Sequence, residues 1–105
     1  MDRSQPLTEA LFYILLAARK PVHGYGIIQE VAEMTGGRVS LGPGTLYGAI
    51  NSLLDRGWIV LYSAEMGSRR KKEYVITDQG RAAFAGELRR LRELVSNGGK
   101  MEDET

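Results

Sequence analysis

"LGPGTLYGAINSLLDRGWIV", residues 41 to 60, decides the fold. Gly42, Pro43 and Gly44 crowd its start. Pro43 suits a first helical turn, where its missing N–H would be unpaired in any case. Leu46, Ile50, Leu53 and Leu54 then recur at helical spacing and predict a core-facing side for a helix over 43–56, ended by Gly57. The opposite side carries Gly44, Thr45, Tyr47, Gly48, Asn51, Ser52 and Asp55. An ordinary solvent-facing helix carries Glu, Lys and Arg there. Each helical glycine costs roughly 1 kcal/mol relative to alanine. So bare a side either packs tightly on a neighbouring helix or admits another large surface.

Upstream, Leu7, Leu11, Ile14, Leu15 and Ala18 predict a helix over 8–19, with Thr8 as its N-cap and Pro21 as its stop. Ile27, Ile28, Val31 and Met34 predict a second helix over 24–35, ended by Gly36-Gly37. "RVSL" (38–41) reads as a short extended piece. Downstream, "WIVLY" (58–62) and "KKEYVI" (71–76) read as two strands joined through a tip containing Gly67. Thr77 caps a last helix over 78–97, and Gly98-Gly99 ends it. The tail over 98–105, with Glu102, Asp103 and Glu104, is expected to be disordered. The fold class is therefore mainly α with a small β-hairpin. Its parts are a winged helix-turn-helix over 1–76, a dimerisation helix over 77–97 and a tail. In that fold the third helix enters the major groove of DNA and the hairpin, or wing, touches the backbone.

Composition agrees with a soluble globular domain: 105 residues, 43% hydrophobic, 26% charged. The absence of cysteine excludes a disulfide framework and a thiolate metal site and fits a reducing cytoplasm. The longest apolar run, 11–18, is too short to cross a membrane. Net charge is only +1, yet Arg69, Arg70, Lys71 and Lys72 form one run on the wing. Each can neutralise a phosphate, which supplies affinity without reading sequence. The bland alternative is a solvated run that guards a strand edge.

With that basic wing beside it, the bare side of the third helix reads as DNA-facing. Pro43 and Gly44 open a helix N-terminus suited to phosphate. Thr45, Gly48, Asn51 and Ser52 lie along the same side; Asn51 can pair with an adenine edge and Thr45 with a thymine methyl. The Tyr47 hydroxyl can reach a phosphate. A dinucleotide site built on "VSLGPGTLYG" fails on its late third glycine and on the absence of repeating strand–helix units. One histidine, no cysteine and no phosphate loop argue against an enzyme, and no cofactor is expected. The competing class is a winged-helix protein–protein interaction module without DNA binding.

The segments "LTEALFYILLA", "HGYGI", "GPGTLYGAINSLLDRGWI" and "RRKKEYVITDQGR" resemble, in this order and over about residues 7–97, the PadR family of transcriptional regulators. The resemblance implies a dimeric repressor bound to an inverted-repeat operator and released by a small-molecule effector. It also implies a short form with one C-terminal helix. His23 reads as a helix cap or packing residue rather than a sensor or ligand, Tyr25 as core packing with a phosphate contact as the lesser alternative, and Trp58 as core. The last helix carries no tryptophan, which puts a flat-ligand sandwich there in doubt. Phe84, Leu88, Leu91 and Val95 are spaced 4, 3, 4, a heptad seam. Two heptads are too few to stand alone, so the partner's first helix, through Phe12, Tyr13 and Leu16, is the expected second surface. An apolar gap between first and last helices is the default effector pocket.

Overall fold

The structure is a computed structural model that describes residues 6–63 and 72–104. Three helices come first: α1 (Glu9–Ala17), α2 (Gly24–Met34) and α3 (Pro43–Asp55). Thr8 caps α1, its side chain accepting the Leu11 N–H. His23 caps α2, its Nδ1 accepting the Gly26 N–H at 2.9 Å. Gly36 and Gly37 take positive φ after α2, and Gly57 does so after α3. These are the left-handed turns expected of glycine at a helix end.

A two-residue strand, β1 (Val22–His23), leads into α2 and was not expected. It joins β2 (Ile59–Ser63) and β3 (Glu73–Ile76) in an antiparallel sheet of order β1-β3-β2. Ile59 faces Ile76, Val60 faces Val75 and Leu61 faces Tyr74, with a register shift before Ser63. No periodicity marks two residues as a strand; only the pairing with β3 does. The piece expected to be extended at 38–41 pairs with no strand: 38–39 form a bend and 40–41 carry no regular structure.

The core is one cluster. Ile14, Leu15, Ala17 and Ala18 of the α1 end meet Ile27 and Val31 of α2, Leu46, Ile50 and Leu53 of α3, and Ile59 and Tyr74 of the sheet. Leu54, expected inside, is 36% exposed. Neighbouring helical residues differ by about 100°, so Leu53 takes the inward direction and Leu54 cannot. Met34, at the last turn of α2, is also exposed. The arrangement is a winged helix-turn-helix.

The last helix, α4 (Asp78–Asp103), starts on the winged helix and is clamped to it. Thr77 Oγ1 accepts the Gly80 N–H and donates to the Gly57 carbonyl. The Thr77 N–H donates to the Trp58 carbonyl. Phe84 stacks on Phe12 of α1 with ring centroids 4.6 Å apart. Glu87, nearly buried, accepts the Leu7 N–H and both Nε and Nη2 of Arg90.

The expected stop at Gly98-Gly99 is overturned: α4 runs through both glycines to Asp103, so 98–103 is helix and not a disordered tail. Neither glycine takes a positive φ. A glycine ends a helix by adopting the left-handed conformation; one that does not merely weakens it. Lys100, Met101 and Glu102 are good helix formers beyond the pair, and Lys100 Nζ donates to Asn97 Oδ1.

Candidate nucleic-acid interface

Burial of Leu46, Ile50 and Leu53 fixes how α3 rolls on the core. That roll points Pro43, Gly44, Thr45, Tyr47, Gly48 and Asn51 outward, all exposed, with Ser52 half-buried at the edge. A Cβ built on Gly44 or Gly48 would meet nothing within 4 Å. The tight-packing explanation of these two glycines therefore fails: no part of the described protein approaches them. Gly42 is the N-cap and offers no side-chain hydrogen bond. The first-turn N–H groups of Gly44 and Thr45 thus lack an intrahelical partner at the helix's positive end.

Tyr47 is 46% exposed. Its ring leans across the start of α2, where Gly24 has no side chain to obstruct it. Tyr25, expected in the core, is 65% exposed instead. It follows the buried Gly24, and one helical step turns it away from the core. The sheet brings Lys72 to the returning side of the hairpin, exposed. Arg69, Arg70 and Lys71 lie outside the described residues. On β2, Val60, Leu61 and Tyr62 are exposed.

Half-buried Trp58 sits at the head of β2 with the Arg56 guanidinium 4.9 Å from its ring centroid. It lines a cavity of about 460 Å³ together with Leu7, Leu11, Glu87 and Arg90. A second cavity, of about 270 Å³, lies between α1 and α4 against Leu7, Phe12, Tyr13 and Leu91. Arg90 holds the Glu87 carboxyl below the usual carboxylate range by its hydrogen bonds, against an opposing push from burial. Burial pushes the Tyr74 phenol up, and the nearby Tyr47 adds to this. Among the described residues no cluster of three or more His, Asp or Glu side chains could hold a metal ion.

Residues 13–86 match the model of the transcriptional regulator PadR-like family. The chain belongs to this family. As a PadR-like protein it is a transcriptional regulator and not an enzyme. It is 38% identical over 78 residues to transcriptional regulator Rv3488 of Mycobacterium tuberculosis, covering 74% of this chain and 70% of that protein. Its fold is similar to the crystal structure of a PadR family transcriptional regulator from Eggerthella lenta, with TM-score 0.76 at 22% identity over 90% of this chain and 82% of the other. It is likewise similar to a transcriptional regulator from Clostridium thermocellum, with TM-score 0.73 at 22% identity over 88% and 90%. Among the described residues no helix is long and apolar enough to cross a membrane.

Two residues of this PadR-like chain escaped the reading of the sequence. Glu87 carried a usable signal: it stands three residues after Phe84 and four before Leu91 on the same helical side, an unexpected place for an unpaired charge. Gly24 stands in the HGYGI segment, but nothing in the sequence pointed to its contact with Tyr47, which is distant in sequence and reaches it only through the packing of α3 on α2.

Proposed function

We propose that this PadR-like regulator is a cytoplasmic homodimeric repressor that reads an inverted-repeat operator with α3 and grips the backbone with the wing. The carrying observation is the bare outward side of α3, where a Cβ on Gly44 or Gly48 would meet nothing. Asn51 and Thr45 read base edges from that side, Gly48 and Ser52 allow close approach, and Pro43, Gly44 and Tyr47 meet phosphates. Arg69, Arg70, Lys71 and Lys72 supply the sequence-independent charge. Homodimerisation uses Leu88, Leu91 and Val95 of α4 together with the Phe12, Tyr13 and Leu16 side of the partner's α1; Phe84, expected on the same seam, stacks on Phe12 of its own chain. What supports it is the apolar stripe of α4, on which Val95 is 74% exposed in the single chain. A small-molecule effector entering the gap between α1 and α4 would change the angle of the two winged helices and release the operator.

Duplex binding measured against salt tests the reading. Affinity should fall by orders of magnitude between low and moderate salt. Arg70→Ala with Lys72→Ala should weaken all duplexes about equally and flatten the salt dependence. Asn51→Ala should chiefly relax sequence preference, at a cost of about 1–3 kcal/mol on the preferred site. A protein that ignores duplex DNA at low ionic strength would instead be a protein–protein interaction module.

A further inference from the structure

We infer that Gly24 is a positioning residue for Tyr47: the space of its missing side chain seats the Tyr47 hydroxyl and sets the direction in which α3 presents its phenol. The inference rests on the reading of α3 as the groove-facing helix. Gly24 is the first residue of α2 and is buried. A Cβ there would lie 2.6 Å from Oη of Tyr47, 3.1 Å from its Cζ and 3.4 Å from Cδ2 of Leu46. The backbone does not require glycine at this point, since the described glycines with positive φ are Gly36, Gly37 and Gly57. Alanine is also the better helix former. What Gly24 supplies is room. Gly44 and Gly48 leave a face bare, whereas Gly24 makes space for one hydroxyl.

The seat lies at a junction. Val22 and His23, just before Gly24, pair with Tyr74 and Glu73 of the wing strand. Tyr74 is buried close enough to Tyr47 for the two phenols to interact electrostatically. Tyr47 as a residue is about half covered, at 46% exposure. The phenol of the reading helix is therefore registered against both the start of α2 and the wing sheet. A phosphate contact made from Tyr47 keeps a constant distance from contacts made by the wing. Because Tyr47 is exposed and outside the core cluster, an intruding methyl group would swing it outward without opening the core.

The test compares wild type, Gly24→Ala, Tyr47→Phe and the double variant in the full-length chain, on a mixed-sequence duplex at low ionic strength. The Cζ resonance of labelled Tyr47 is recorded without DNA. Expected is a shift of that resonance in Gly24→Ala, and a loss of duplex affinity of about tenfold in both single variants, the size of one hydrogen bond to a charged group. The double variant should be no weaker than either single, because both act through one hydroxyl. Wild-type affinity or an unmoved resonance in Gly24→Ala overturns the inference, as does a double variant equal to the product of the singles. Wild-type affinity in Tyr47→Phe overturns the phosphate role of Tyr47, and the seat is then decided by the resonance alone. Should Gly24→Ala not fold, recovery of the fold in the double variant supports the seat and failure to recover overturns it.

Discussion

Gly80 and Gly48 both stand in helices, and their surroundings give opposite predictions. At Gly80 the first turn of α4 lies on the start of β2: an added Cβ would overlap the Trp58 carbonyl oxygen and lie 2.8 Å from Cγ1 of Ile76. Backbone on one side and a packed isoleucine on the other leave no way to yield. Gly80→Ala should therefore destabilise by about 1–3 kcal/mol or more, seen as a lower midpoint in denaturant unfolding. Gly48→Ala meets nothing in the protein. It should leave stability unchanged or raise it by up to about 1 kcal/mol, and it should weaken operator binding, because its methyl group projects from the face proposed to enter the groove. A Gly48→Ala variant that binds DNA as well as wild type would mean that this side does not face the duplex. At this scale the sequence was partly legible. His23 caps α2 as its place before a helix suggested. Tyr25 was misplaced, because residue type favours burial of an aromatic while the roll of α2 turned it outward.

Among the elements, α4 is joined to α1 by the Phe12–Phe84 stack and, by a polar clasp, to Leu7 just before α1. Glu87 is the centre of that clasp, accepting the Leu7 N–H at 3.1 Å and the Arg90 guanidinium at 2.7 and 2.8 Å. Its carboxyl sits below the ordinary value of 4.5, chiefly through the hydrogen bonds from Arg90. A carboxylate depressed in the folded state stabilises it above the unfolded value and ceases to do so as pH falls through the folded value. Stability should thus decline as pH is lowered from about 4.5, the ordinary value, and Glu87→Gln should show a shallower acid limb in unfolding measured across pH. Glu87→Ala should cost about 1–3 kcal/mol at neutral pH by leaving the partners of a buried carboxylate unsatisfied. The Thr77 cap located the start of α4, whereas the stop expected at Gly98-Gly99 did not hold. Gly98 and Gly99 are poor helix residues, and a helix already propagating past Asn97 loses less by continuing than by breaking.

The molecule as a whole measures 59 × 36 × 21 Å, elongated for 105 residues. A 26-residue helix is about 39 Å long, so α4 outreaches the winged helix that holds its first turns. Beyond Leu91, the side chains of Leu94, Val95 and Met101 are exposed. Such a stripe on an overhanging helix fits a second copy, and a two-fold pair would set two α3 helices about one turn of DNA apart. Val95→Glu should shift the protein to a folded monomer in sedimentation and remove any concentration dependence of its unfolding midpoint. Duplex affinity should fall with it, since two linked half-site contacts become one. A Val95→Glu protein that stays dimeric would place the interface elsewhere.

The order of the four helices and the two hairpin strands, the inward Leu46, Ile50 and Leu53 of α3 and the caps at Thr8 and Thr77 follow from the sequence alone, because each depends on residues within a few positions of one another. So does family membership, carried by short ordered motifs. Tertiary structure alone decided that β1 is a strand, that Leu54 and Tyr25 face outward and that Glu87 is clasped. It also decided that Gly24 lies beneath Tyr47. Each of these depends on the roll of one element against another, and that roll is the joint outcome of all the apolar contacts in a shared core rather than of any local pattern.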